Sequence, residues 1–588
     1  MSAVTPAAPP LSREDQTLLL FAALMEGGKE DEDTVTDLDK LTKLLSEDAE
    51  FVKKGEKSIT SVIDGDCVDT ILGYTDMRQA DIVRGHATLC ASAYLKAAGD
   101  EGSKMLSEFF HARVRRGMYD DYIVAFCVAA AIFPIVPDLT SELFLSEGFL
   151  GTLGPLMRRK WKSRKVETAC LEMLNAACMH QACREAVLKY CVDWLEEIVD
   201  QDPEDAVRDM HHIDPDVHTR EGSIMMRRHS QHVQNLAAVV LAKLRVQRAG
   251  NQGPEPRIQP ATTSIEDLSK RFTKLLVEDT HHVQSSVEGL AYASLQSTVK
   301  QDLSQDTTAL KRLVQTLESA PPKSPLIYGA LSIFANLTRY QPVETEEQKR
   351  MKQLKAYANA AGKLQTDHLN DDEHVTARCQ RVFDAGITPI LVAQGKKGSV
   401  ASLSLSISII YSLSMTPSLR GRLAQQGAIQ LLIRAWVALP EKEDKTRRVA
   451  AQALARILIS TNPPRLRRQP SHPNPLPSAP RIHHHPDPNA DTRDLLPTFE
   501  ALLALTNLAS TDDNTRGSIV RAAWEAIEEQ LFSTNTRVST AAVELIEEVV
   551  KGIVALPRGC EVILGLCTDE GMRVEASRGG GGDEYGFA

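Results

Sequence analysis

One eight-residue pattern recurs along this chain and limits what it can fold into. It reads small residue, Leu, two variable positions, apolar, variable, Asn, apolar, and its sharpest copy is Ala501-Leu-Leu-Ala-Leu-Thr-Asn507-Leu508. Further copies are Ala330 to Leu337 with Asn336 in the slot, Ser406 to Leu413 with Ser412, Ala450 to Ile457 with Arg456, and Ala541 to Glu548 with Glu547. Weaker copies sit at Ala169 to Ala176, with Asn175, and at Gly289 to Leu295, with Ser294. The slot returns after 42 residues between Ser294 and Asn336, 44 between Ser412 and Arg456, and 40 between Asn507 and Glu547. Apolar residues at this spacing form one stripe on a helix. A unit of about 40–47 residues is the length of an armadillo or HEAT repeat. One such repeat cannot bury its own apolar face, so copies must stack on one another.

The expected fold is therefore all-α, a right-handed armadillo/HEAT-like helical solenoid. Its layers are aliphatic, which fits 43% apolar residues with only 5% aromatic. Gly427, just before Ala428-Ile429, suits a sharp turn between helices. The expected segments are an N-terminal tail and acidic segment (1–50), a first helical array (51–247), a Pro/Gly-rich linker (248–262) and the clearer array (263–557). That second array is broken by a polar insert at 341–375 and a proline-rich loop at 463–493, and an irregular tail follows at 558–588. Residues 13–50 read as short helices interrupted by an acidic loop.

The charge excludes some functions. The net charge is −11, and coating nucleic acid needs clustered excess Lys and Arg. Residues 26–50 hold ten acids and three lysines, so most of the imbalance sits in one short segment. The longest apolar stretch, Tyr122 to Val136, is interrupted by Pro134 and is shorter than the ~18–20 residues that span a bilayer. It reads as a core helix, with no membrane partner expected. The start MSAVTPAAPPLSRED lacks a basic region followed by an apolar run, and ten cysteines mostly fall within apolar helical patterns. Together these point to a reducing, cytoplasmic location.

Catalytic constellations are missing. Gly55-Glu-Lys-Ser58 lacks the upstream glycine of a phosphate-binding loop, and no H-E-x-x-H, G-x-S-x-G or C-x-x-C occurs. The group Cys170, Cys178, His180, Cys183 and Cys191 has the wrong spacing for structural zinc, so these read as core cysteines. His211, His212, Asp214 and His218, and His483 to His485 beside Asp487, read as polar loops. Arg465, Arg467, Arg468 and Arg481 form a short basic patch that reads as a solvated loop. Neither an enzyme, nor a cofactor, nor a metal site is expected.

A solenoid presents a long groove lined by the last helix of each repeat. An Asn there offers one acceptor and two donors, which match a peptide backbone unit. Asn507 and Asn336 fill that slot, with Phe499 and Tyr328 eight residues earlier on roughly the same side of the helix. Leu503 lies between Phe499 and Asn507. These five form the candidate peptide-binding set. The alternative is that the Asn ties down a neighbouring helix end and the aromatics are core. Import carriers repeat Trp-x-x-x-Asn, whereas Ser332 and Leu503 stand four before the two asparagines here.

The segment Phe499 to Ser510 resembles the signature helix of the UCS family, the myosin-directed chaperones. Gly289 to Leu295 with Leu310-Lys-Arg-Leu313, Tyr328 to Leu337, Ala385-Gly-Ile-Thr-Pro389, and Ala451 to Ile457 with Thr461-Asn-Pro463 match in family order. The resemblance covers about 285–550. It implies an ATP-independent cytoplasmic chaperone that binds the myosin motor domain, cooperates with Hsp90 and supports actomyosin function, with self-association also open. It carries Phe499 and Asn507, and more weakly Tyr328 and Asn336, over as groove residues. No W-x₂-L-G-x₂-Y repeat of an Hsp90-docking TPR domain occurs, as in the fungal type. The chain also departs from the family after Ala541, where it runs into Leu556-Pro-Arg-Gly-Cys560 and looks shortened. A generic armadillo scaffold is the competing reading.

Overall fold

A computed structural model describes residues 11–159, 163–200, 229–248, 263–278, 282–342, 346–358, 367–396, 398–461 and 495–554. Every regular element among them is helical. The proline-rich loop, the C-terminal tail, the linker and the His211 and His483 groups lie outside the described residues. The chain divides into two compact units, residues 1–299 and 300–588.

The first unit corrects the reading of the acidic segment. Residues 31–53 are one unbroken helix, α1 (Asp31–Lys53). Leu38, Leu41 and Leu45 recur at i, i+3 and i+7 and are buried, so a regular stripe sits beneath the charge. Asp31, Glu32 and Asp33 occupy the first turn, where negative charge complements the helix dipole. α1 packs on α2 (Asp81–Arg116). Next come α3 (Tyr119–Ile132), α4 (Arg164–Ala177), α5 (Gln231–Arg248), α6 (Ile265–Glu278) and α7 (Val283–Ala293). α3 packs on α4, α4 on α5, and α5 on α7. The apolar stretch expected as a core helix is α3, with residues from Ile123 to Ala129 buried. Among the described residues no helix is long and apolar enough to cross a membrane.

The expected boundary at the linker is not where the units part. α6 and α7 follow the linker, yet both pack on α5, which precedes it. The stack of described helices continues past the compositional break.

In the second unit the spine is α8 (Pro325–Thr338), α10 (Val400–Met415), α13 (Asp444–Ile459), α14 (Leu496–Ala509) and α16 (Thr536–Val554), each packed on the next. α9 (Asp372–Asp384), α11 (Pro417–Gln425), α12 (Ala428–Ala438) and α15 (Asp513–Leu531) lie between them in sequence. The five sharper copies of the repeat fall on the five spine helices, one each. Their small residues Ala330, Ala450, Ala453, Ala504 and Ala541 are buried, which lets neighbouring spine helices approach closely. Gly427 takes φ +91° at the start of α12, as its turn demands. Within the polar insert at 341–375, Glu346–Ala358 is helical.

The weak copy on α7 has its own packing reason for a glycine. A Cβ placed on Gly289 would clash with the Phe272 ring of α6, and that ring is fully buried. Gly289→Ala should therefore lower the unfolding free energy by about 1–3 kcal/mol through overpacking. Adding Phe272→Leu should recover part of the loss, measured by denaturant titration. Additive effects of the two changes would contradict the contact.

Candidate functional site

The last four carbonyls of a helix have no intrahelical partner. In this protein, neighbouring side chains supply several of them. Asn507 on α14 donates its amide to Leu458 O at 2.6 Å and Thr461 O at 3.0 Å, at the end of α13. Arg378 on α9, fully buried, donates from Nε to Leu337 O of α8 at 3.0 Å and from Nη1 to Leu369 O at 2.6 Å. Arg420 donates to Ser414 O of α10 at 2.7 Å. In the first unit Lys243 of α5 donates to Asn175 O of α4 at 3.0 Å. Cationic donors also match the negative end of the helix dipole.

A buried ion pair reinforces the same junction. Arg456, in the repeat slot of α13, is 2% exposed. Its Nε donates to both Glu500 oxygens on α14, at 2.8 and 3.0 Å. Its guanidinium carbon lies 4.7 Å from the Tyr411 ring centre on α10, and Nη1 contacts Met415 Sδ at 2.6 Å. Gln452 also donates to Glu500 at 2.9 Å. Burial pulls against the charge on Arg456, but the hydrogen bonds and negative charge of Glu500 raise its pKa on balance. α10, α13 and α14 are thus held by one polar cluster. Sequence reasoning placed Arg456 in a repeat slot without assigning it this role; the signal was a charged residue within an apolar pattern.

Beside this junction, α14 and α16 leave an open cleft of about 490 Å³. Phe499 and Leu503, one turn apart on α14, face Thr536, Arg537, Thr540, Ala541 and Glu544 of α16. Phe499 and Leu503 are half-buried and pack at the edge of the core that includes Leu502, Ala541 and Leu545. They stay fixed while part of their apolar surface faces the opening.

The five expected site residues therefore separate. Phe499 and Leu503 share the cleft. Asn507 sits on the same helix, but its amide nitrogen holds the end of α13. Tyr328 is 51% exposed on α8, which lies three steps along the spine from α14. Asn336 is half-buried on α8 and already engaged with other groups. The cleft residues that sequence reasoning missed, Arg537, Thr540 and Glu544, lie on one face of α16. Their signal was the spacing i, i+3 and i+7.

The eight described cysteines are free and buried. Burial pushes the thiols of Cys90, Cys178 and Cys379 up to about 12, so they pack as apolar groups. Among the described residues no group of three or more His, Cys, Asp or Glu is placed to hold a metal.

Residues 32–272 match a family model described as "UNC45-central: Myosin-binding striated muscle assembly central". The chain is similar to Ring assembly protein 3 of Schizosaccharomyces pombe, 29% identical over 281 residues, which cover 46% of this chain and 36% of that protein. Its fold is similar to the crystal structure of She4p, with TM-score 0.61, 19% identity, and coverage of 94% of this chain and 70% of that one. It is also similar to the myosin chaperone UNC-45 from C. elegans solved with an Hsp90 peptide. There the TM-score is 0.56 at 18% identity, covering 88% and 54% of the two chains. Curated relatives are longer, and this chain spans from 30% to 52% of two others.

The hydrogen bonds of Asn507 set an expectation separate from any ligand. Asn507→Ala strips the end of α13 of two side-chain donors. It should cost about 1–3 kcal/mol, read as a lower thermal midpoint. Native-state hydrogen exchange should show faster exchange of α13 amides. Unchanged stability would contradict the role of that amide as a helix-end tie.

Proposed function

Because this chain belongs to the UCS family, we propose that it is a myosin-directed chaperone of the cytoplasm. In this reading it binds non-native or folding myosin motor domain and keeps it from aggregating, and it acts by binding alone, without catalysis or cofactor. Holding works by mass action: a partner that binds the exposed form of a client lowers the free amount available to aggregate. The relationship favours this over a generic scaffold.

The observation that carries the reading is the open cleft between α14 and α16. Its floor is apolar and fixed by the core behind it, and its rim carries hydroxyls and charges. That is the surface an unfolded segment needs: area for an apolar side chain, with polar groups alongside for its backbone. Phe499 and Leu503 are the proposed contacts. Tyr328, with its exposed ring, is a proposed outlying contact further along the spine. Asn507 supports the groove from behind by tying the end of α13. A solved relative carries an Hsp90 peptide, and cooperation with Hsp90 is part of the proposal.

The test is aggregation of heated myosin motor domain with and without the full chain, paired with pull-down. The chain should suppress light scattering in proportion to its concentration. Phe499→Ala with Leu503→Ala should lose most of that effect. Thr540→Trp, which fills the cleft from an exposed position and leaves the core intact, should do the same. No suppression and no pull-down by the unaltered chain would refute the chaperone reading. Full activity of a folded Thr540→Trp variant would refute the cleft as the binding place.

A further inference from the structure

The rim of this cleft carries a charge pattern that selects what lies in it. Arg537 and Glu544 stand at two ends of the α16 side, seven residues or two helical turns apart, which separates them by about 10 Å along the axis. Thr540 and Ala541 lie between them on the same face and also line the cleft. Arg537 and Glu544 are both exposed. Among the described residues neither forms an ion pair, in contrast to Lys551 on the same helix, which pairs with Glu547 and Glu548. Across the cleft, Phe499 and Leu503 offer apolar surface without charge. Glu500, also on α14, is not available to a ligand, because Arg456 and Gln452 occupy both of its oxygens.

An extended peptide advances about 3.3 Å per residue and turns alternate side chains to the same side, so side chains four positions apart face one helix about 13 Å apart, a spacing the long Arg537 and Glu544 side chains can meet. We propose that the cleft is a specificity site for extended peptide segments. Each such segment carries an acidic and a basic side chain four positions apart on the face toward α16, with an apolar residue at an odd position between them on the face toward α14. The acid lies toward Arg537, the base toward Glu544, and the apolar side chain rests on Phe499 and Leu503. Thr540 supplies a hydroxyl to the peptide backbone midway. This rests on the reading of the cleft as the client site and adds what it selects. Segments bearing two like charges at that spacing place one of them against its own sign, so the rim discriminates even though the apolar floor does not.

The test uses the full chain and three fluorescein-labelled decapeptides of one apolar sequence. They differ only at two positions four apart, which are Glu and Lys, Glu and Glu, or Lys and Lys. Fluorescence anisotropy at low ionic strength should rank the mixed-charge peptide first, by about 2- to 5-fold, the range exposed ion pairs give. Arg537→Glu makes the rim doubly acidic and should move first place to the Lys and Lys peptide. Glu544→Lys makes it doubly basic and should move first place to the Glu and Glu peptide. These rankings hold whichever way the peptide runs. Raising the salt should compress them. Both substituted positions are exposed, so a folding defect is not expected, and circular dichroism checks it. If all three peptides bind equally, and each loses affinity in Thr540→Trp, the cleft binds peptide and the charge selectivity is wrong. If no peptide binds and Thr540→Trp leaves motor-domain binding unchanged, the underlying site is wrong as well.

Discussion

The unpaired carbonyls at the end of a helix are the constraint on which the rest of this protein depends. A stack of short helices multiplies helix ends, and each end has acceptors that water or a neighbour must satisfy. Here side chains from adjacent helices take on that work: Asn507 at the end of α13, Arg378 at α8, Arg420 at α10 and Lys243 at α4. Each bond also fixes the register of two helices, because a donor reaches its carbonyl at only one offset. Apolar layers of Leu, Ile and Ala attract helices without setting that offset, since aliphatic contact is not directional. The polar ties supply what the layers lack.

That division of labour produces the cleft. Arg456 and Glu500 draw α13 and α14 together on one side of α14. On its other side α14 meets α16 through small residues such as Ala504 and Ala541. Phe499 and Leu503 are then held at the edge of the core with apolar surface left open, while Arg537 and Glu544 stay in solvent. Rigid backing and an open face arise from the same helix. The acidic helix α1 belongs to the first unit and contributes nothing to this face, so the net charge of the chain says little about what the cleft takes.

Much of the architecture was legible in the repeat. Its copies fall on successive spine helices, and Gly427 has the positive φ its turn requires. What misled was composition read without the stripe beneath it. Ten acids in residues 26–50 suggested a loop, whereas Leu38, Leu41 and Leu45 make a buried face under them. The Pro/Gly-rich stretch at 248–262 suggested a boundary, whereas α5, α6 and α7 pack together across it. For the site, Phe499 lines the cleft, whereas the Asn507 amide follows the alternative the sequence left open and ties a helix end. An amide that can hold a peptide can equally hold a helix end, and only the position of Leu458 O and Thr461 O decides between them. The spacing of Arg537, Thr540 and Glu544 put them on one face of a helix, but which face meets a cleft is decided only once the neighbouring helix is placed.

Site-specific photocrosslinking tests the central claim most directly. A photoreactive side chain is placed at position 540, inside the cleft, and in a second sample at position 437, where Val437 is 70% exposed on α12 and does not line it. Each full chain is irradiated with partly unfolded myosin motor domain and the adducts are mapped. The structure leads to motor-domain adducts from position 540 and few from position 437. Equal yields from both positions, or none from position 540 while the motor domain remains bound, would contradict it.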